Sequence, residues 1–252
     1  MAVTTEVVDA SIAVVTMDYP PVNALPVAGW YAVADAMTAA GRDPAVRVAV
    51  LRSEGRGFNA GVDIKEMQRT AGHEALIGAN RGCYAAFKAI YECAVPVVAA
   101  VNGFCLGGGV GLAASCDTII AADDAYFGVP EVDRGALGAA THLARLVPHH
   151  LMRTMYYTSR TIQAADLVRY GSVLEVVAPA ELRAAALKLA GEIARKDPRV
   201  IRAAKEALNG IDPIDPSRSY RFEQGFTFEL NLAGVADEHR DAFVASGEAL
   251  NT

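Results

Sequence analysis

The stretch PVVAAVNGFCLGGGVGLAAS, residues 96–115, constrains this chain more than any other. Pro96 to Val101 is an unbroken apolar run of strand length, Asn102-Gly103 reads as a turn, and the glycines Gly107 to Gly109 lead into a small-residue helix, Val110 to Ser115. A strand with no polar alternation is buried on both faces, which is the habit of parallel sheets covered by helices. The same alternation recurs on either side. Val46 to Leu51 and Ile119 to Ala122 are also buried-type strands, and Glu6 to Val8 and Ile12 to Met17 flank an Asp9-Ala10-Ser11 turn. YPPVNAL is extended, after which a helix runs from Pro26 through Trp30, Val33, Ala34 and Met37 to about Gly41. A longer helix is expected over His73 to Tyr91, and further helices over 139–147, 149–158, 163–169, 180–195 and 198–209. The class is therefore α/β, strand-rich in its first half and almost wholly helical in its last third.

At 252 residues the chain can bury roughly 70–75% of its unfolded surface without a metal or disulfide staple. Its 29 acidic residues against 23 basic ones, with no long basic run, argue against nucleic acid as a partner. The opening MAVTTEVVDA lacks the pattern of a signal peptide, and no apolar stretch is long enough to span a bilayer, so a cytoplasmic enzyme with no membrane partner is expected. Cys83, Cys93, Cys105 and Cys116 have apolar neighbours and no ligand-like spacing; they read as buried thiols, with no metal site. Beyond the Asp212-Pro213-Ile214-Asp215-Pro216 linker, the segments Tyr220 to Leu232 and Asp237 to Ala245 carry Phe222, Phe226, Phe228, Leu230 and Leu232. That apolar surface needs the core or another subunit against it.

Two loops place backbone amides in position for chemistry. In FNAGVDI the glycine after Ala60 permits a turn that leaves the Ala60 N–H unpaired, and in LGGGVG the glycines present N–H groups at the positive end of a helix. Two such donors meeting at one point make an oxyanion hole; the alternative is simple packing. Gly109, Gly111 and Ala114 also satisfy a dinucleotide fingerprint, but that motif would have to begin where the strand ends, at Val101. Glu131, in FGVPEVDRG, is either a surface glutamate or a carboxylate of raised pKa serving as acid or base. His142 is equally open between core, surface and site.

In this order, PVNAL, RGFNAGVDIKEM, AVPVVAAVNGFCLGGGVGLAASCD and AYFGVPEVDRG resemble the crotonase (enoyl-CoA hydratase/isomerase) superfamily, and TFELNLAGVADEHRDAF resembles its trimerisation region. The resemblance implies a spiral of ββα repeats over 1–197 and a helical oligomerisation region over 198–252, assembling as a homotrimer or a dimer of trimers. It implies an acyl-CoA substrate and no separate cofactor, since coenzyme A is part of that substrate. By the same resemblance the amides of Ala60 and Gly108, with Gly107 beside them, hold the thioester oxygen and stabilise an enolate. Asn23, Ala24, Asp63, Ile64 and Lys65 line the CoA channel, with Lys65 as a phosphate contact. The terminal VASGEALNT lacks the family's Lys-Arg cluster, so no phosphate contact is expected from it.

Departures from the family pattern bear on the reaction. Hydratases pair two glutamates, and here the first position is Gly111 while the second is Glu131. Isomerases manage with the single glutamate; dienoyl isomerases add acids, where this chain has Gly111 and Ala139. A closer resemblance, on FNAGVDIKEMQRT, EVDRGALGAATHLARLVP and FEQGFTFELNLAGVADEHRDAF, is to actinobacterial ring hydrolases of steroid catabolism, which open a cyclic β-diketone carried on CoA. It implies that Gly111 widens the pocket for a bicyclic acyl group and that Glu131 activates water, with His142, Asp133 and Glu229 in reserve. The alternatives are an enoyl-CoA isomerase or hydratase of β-oxidation, and a non-catalytic acyl-CoA-binding subunit.

Overall fold

The computed structural model describes residues 2–246; Met1 and residues 247–252, which carry much of the VASGEALNT reading, lie outside them. Strands β1 (Ala2–Val8) and β2 (Ile12–Asp18) form an antiparallel hairpin, followed by α1 (Val27–Arg42) and β3 (Val48–Ser53). Then come α2 (Ile64–Arg69), α3 (Glu74–Tyr91), β4 (Val97–Val101), β5 (Phe104–Leu106), α4 (Gly108–Ser115), β6 (Thr118–Ala122) and β7 (Tyr126–Gly128). A 3-10 turn at Pro130–Arg134 leads to α5 (Ala140–Leu146), α6 (His149–Thr158), β8 (Ile162–Gln163), α7 (Ala164–Val168) and β9 (Glu175–Val177). Helices α8 (Leu182–Ala194), α9 (Pro198–Ile211), α10 (Pro216–Leu232) and α11 (Val235–Ser246) complete the described chain.

The large sheet has the order β1-β2-β3-β4-β6-β9 and is parallel from β2 onward. Its central strands read as continuous apolar runs because both faces are covered. Ala13, Val15, Ala49, Leu51, Val97 and Ala99 point to the cluster formed with α1, α3 and α4, while Val14, Val48, Val50, Val98 and Ile120 meet Ala186 and Ala190 of α8. A second sheet, β5-β7-β8, runs alongside. Successive strands therefore alternate between the sheets, β4 to β5 and β6 to β7, which is the expected spiral of ββα turns. The short strands of the second sheet have no signal in the hydrophobic pattern: three residues are too few to show a period.

The terminal helices fold back on this core. The Lys205 ammonium on α9 meets Asp117 at 2.7 Å, and Arg202 donates to the carbonyls of Gly41, Asp43 and Val46. Helix α10 starts earlier than the sequence suggests, inside the proline-rich linker. Asp215 caps it by accepting from Ser217 N, and Pro216 occupies a first-turn position where no N–H is needed. Its inward stripe is Tyr220, Gln224, Thr227 and Asn231, at helical spacing but largely polar. The apolar residues lie elsewhere on the helix, with Phe222 and Leu232 each 75% exposed and the rings of Phe222 and Phe226 stacked edge to face.

Candidate active site

Among residues 58–63 of the loop between β3 and α2, one amide is left over. Phe58 and Asn59 donate to Phe104 O, Gly61 donates to Asn59 Oδ1 at 2.8 Å, and Asp63 donates to Leu25 O. Ala60, expected to be free, donates to Val22 O at 3.2 Å. The unpaired N–H belongs to Val62. It lies opposite Leu25 in a parallel bridge that uses Gly61 O and Asp63 N, and amides alternate direction along extended chain, so the one between them points away. The free donor among residues 58–63 is thus Val62 and not Ala60, although Ala60 does line the cavity.

The glycine loop supplies the second donor. Gly107 N is bonded to Gly128 O, whereas Gly108 is the first residue of α4 and its N–H has no partner among the described residues. The two loops touch here, since a β-carbon on Gly61 would sit 3.4 Å from Gly108 N. Glycine is required for two different reasons. Gly107 takes φ +55°, and a side chain there would collide with Glu131 Oε1; a β-carbon on Gly108 would lie 2.6 Å from the Trp30 ring.

Glu131 therefore lies against the glycine loop, held by the 3-10 turn. Its Oε2 is sealed from water and has no hydrogen-bond partner among the described residues. Burial, with the negative Glu223 nearby, pushes its carboxyl up to about 8. Around it are Gly61, Val62, Ile64, Leu106, Leu137 and Tyr220, in a mainly apolar cavity of about 190 Å³. That is below the roughly 300–1,000 Å³ of clefts that enclose drug-sized ligands, so a small apolar group is what fits within it.

The remaining sequence candidates fall differently. Ile64 and Gly107 line the cavity. Asn23 is buried and spent on the loops: its amide donates to Glu54 O and Gly57 O, and Oδ1 accepts from Tyr19 N. Ala24 does not reach the cavity lining. Asp63 caps α2 by accepting from the amides of Lys65 and Glu66, and Lys65 itself is exposed outside the cavity. Gly111 does not widen the pocket, because the Phe87 ring fills the space its side chain would take. His142 is fully buried but turned into the aromatic cluster of Phe87 and Tyr220, with ring centroids 4.6 and 5.1 Å away; burial pushes it down to about 3. Asp133 and Glu229 are exposed and outside the cavity lining.

Helix α10 turns Glu223 inward instead. Its oxygens accept from Ala140 N at 2.7 Å and Thr141 N at 3.0 Å, capping α5, and its pKa is raised by burial. Thr227 Oγ1 bonds both N and O of Leu137, and the Tyr156 hydroxyl accepts from Gly138 N, so residues 137–141 are pinned and 137–139 form a cavity wall. The spacing of 220, 224, 227 and 231 is visible in the sequence; its polar side chains hid it from an apolar search. Among the described residues no cluster of His, Cys, Asp or Glu converges as metal ligands do, and no helix is long and apolar enough to cross a membrane.

Residues 8–225 match the family described as enoyl-CoA hydratase/isomerase. The chain is 65% identical, over 97% of its length and 99% of the relative's, to the (7aS)-7a-methyl-1,5-dioxo-2,3,5,6,7,7a-hexahydro-1H-indene-carboxyl-CoA hydrolase of Mycobacterium tuberculosis. It is 63% identical, over 98% and 96%, to the protein of the same name from Rhodococcus jostii. The structure of an enoyl-CoA hydratase/isomerase from Xanthobacter autotrophicus superposes with a TM-score of 0.87 at 28% identity, covering 99% of this chain and 94% of that one.

Proposed function

The chain belongs to the enoyl-CoA hydratase/isomerase family, and within it we propose that this enzyme hydrolyses a ring carbon–carbon bond of a bicyclic diketone carried as a CoA thioester, in the breakdown of steroid rings. The observation that carries the reading is a half-buried carboxyl, Glu131, whose sealed Oε2 has no partner among the described residues, sharing an apolar cavity with two amides, Val62 and Gly108, that have none among them either. The 63–65% identity over nearly the whole chain to two hydrolases of that substrate favours ring opening over hydration. So does Gly111, which leaves no second carboxylate at the hydratase position.

The relatives' substrate is an angular-methyl hexahydroindene, the carbon frame of the last two steroid rings. Its C1 ketone adjoins quaternary C7a, and C7a is joined through the C3a–C4 double bond to the C5 carbonyl, making a vinylogous β-diketone. Glu131, as the carboxylate, takes a proton from water while the oxygen adds to C1. The C1–C7a bond then breaks, and its electron pair runs along the double bond into the conjugated carbonyls. Val62 and Gly108 hold the thioester oxygen, where they stabilise the negative charge reaching it; Glu131 returns the proton to carbon. One water is consumed, and the products are a carboxylic acid and a new C–H bond. Desolvated donors aimed at a developing oxyanion typically supply a large share of such a rate enhancement.

Purified enzyme assayed against the bicyclic diketone thioester, a 3-enoyl-CoA and crotonyl-CoA is expected to turn over the first and hydrate the last poorly. Appreciable crotonyl-CoA hydration reverses the order of the readings. A cytoplasmic setting agrees with four buried free thiols. The exposed Phe222, Phe226 and Leu232 of α10, with Val200, Leu208 and Ile211 of α9, support a homotrimer or a dimer of trimers. Light scattering on a sizing column is expected to give three or six chains per particle, and a monomer at micromolar concentration removes that part of the reading.

A further inference from the structure

The cavity is lined by two cations that the enolate chemistry does not use. Arg134 comes from the 3-10 turn that carries Glu131, and Arg240 from α11. The close approach of these two elements is built in. Gly135 takes φ +63°, and a β-carbon there would lie 2.9 Å from the α11 backbone at Val235 and Ala236. Ala236, Arg240 and Phe243 share one face of α11. From that face Phe243 stacks on the Arg134 guanidinium at 3.6 Å. The Arg240 side chain is only 12% exposed, and its guanidinium donates to Asn231 Oδ1 at 2.9 Å and pairs with Asp237. Those bonds fix the orientation of the fork and leave further donors of its five for a ligand.

We propose that Arg134 and Arg240 form a second anion site in the acyl cavity, which binds the carboxylate created when the ring opens. The inference rests on the hydrolytic reading, because an isomerase or hydratase creates no new anion. Ring opening generates negative charge twice. The electron pair leaving the broken bond is met by the Val62 and Gly108 amides. The oxygen on the attacked ketone carbon becomes first an alkoxide and then a carboxylate, on a carbon remote from sulfur. A neutral diketone calls for no cation in an apolar cavity, whereas its product carries an anion suited to a guanidinium fork. CoA phosphates are the other anions available. The arginines share the apolar cavity with Glu131, however, while Lys65, the expected phosphate contact, lies exposed outside it.

The test compares the ring-opened keto acid with its methyl ester, both as pantetheine thioesters lacking phosphates, alongside free CoA, by titration calorimetry. The wild type is expected to bind the acid about tenfold or more tightly than the ester, as a charge-assisted pair implies. In Arg240→Gln and Arg134→Gln that ratio falls close to one with ester affinity little changed, and Arg240→Lys recovers part of it. An equal ratio in wild type and variants overturns the proposal. So does weakened binding of free CoA with an unchanged acid-to-ester ratio, which assigns the arginines to phosphate. Variants that lose ester binding and circular dichroism together are replaced by Arg240→Lys, whose ratio must lie between those of wild type and the ester limit. No turnover is measured, so failure of ring hydrolysis in the activity assay and failure of the carboxylate site are read separately.

Discussion

Glu131 and His142 stand eleven residues apart, His142 fully buried and Glu131 half-buried with its Oε2 shut away from water, and both hold polar atoms without a partner among the described residues. Burial drives each toward its neutral form, Glu131 up to about 8 and His142 down to about 3. They differ in what lies in front of them. Glu131 faces the cavity and two unpaired amides; His142 faces the rings of Phe87 and Tyr220. The comparison separates a buried titratable group that a substrate can reach from one that only the core can reach. An unsatisfied polar atom signals chemistry when space adjoins it, and otherwise only a cost to stability.

The strongest way to break the comparison is Glu131→Gln. It keeps the shape and removes the proposed base, so kcat is expected to fall about 10²- to 10⁴-fold with little change in thioester affinity. In the parent, kcat/KM should climb with pH and level off above about 8, because the carboxylate is the working form. A profile that is flat from pH 6 to 9 removes Glu131 as the base.

A second test sharpens the assignment of the oxyanion donor. Replacing the backbone amide of residue 62 by an ester deletes only its N–H, and kcat is expected to fall by about 10²–10³. The same ester at residue 60 deletes the bond to Val22 O and is expected to cost about 1 kcal/mol of stability, read in denaturant melts, with turnover largely kept. Equal loss of turnover at both positions returns Ala60 to the site.

The smallest effect on activity is expected from His142→Phe, which swaps one buried ring for another. Its signature lies in acid stability. The folded protein holds His142 near 3 while an unfolded chain protonates it near 6.5, so the parent loses stability as pH falls through that window; the variant should melt with less dependence on pH between 7 and 4.5. Glu131 has the opposite sign. Its folded pKa is raised above the ordinary 4.5, so its contribution is full below that value and is lost as pH rises toward 8. Glu131→Gln should flatten the alkaline side of the stability curve where His142→Phe flattens the acid side.

Much of the framework is legible in the amino acids. The runs at 48–51, 97–101 and 119–122 are apolar at every position and so on both faces, and they announce a covered parallel sheet without any tertiary knowledge. The glycine loop and the carboxylate after Pro130 are legible too, because Gly107 and Gly108 have no substitute where Glu131 and Trp30 press against them. The choice between neighbouring amides was not. Ala60 and Val62 are both small or aliphatic residues flanking one glycine, and only the pairing with Val22 and Leu25 decides which N–H is spent. Gly111 misled for a similar reason: an absent side chain says nothing about what fills its place, and Phe87 fills it from another helix.

What the sequence determined by itself is the order of strands and helices and the residue types that can serve an enolate, since hydrophobic period and glycine sterics are local properties. What only the tertiary structure decided is direction. It set which amide, which carboxylate and which arginines converge on the cavity, and it turned Glu223 inward while Glu229 of the same helix stayed in water. Convergence depends on contacts between segments as far apart as residues 62, 131 and 240, and no local pattern encodes the place where they meet.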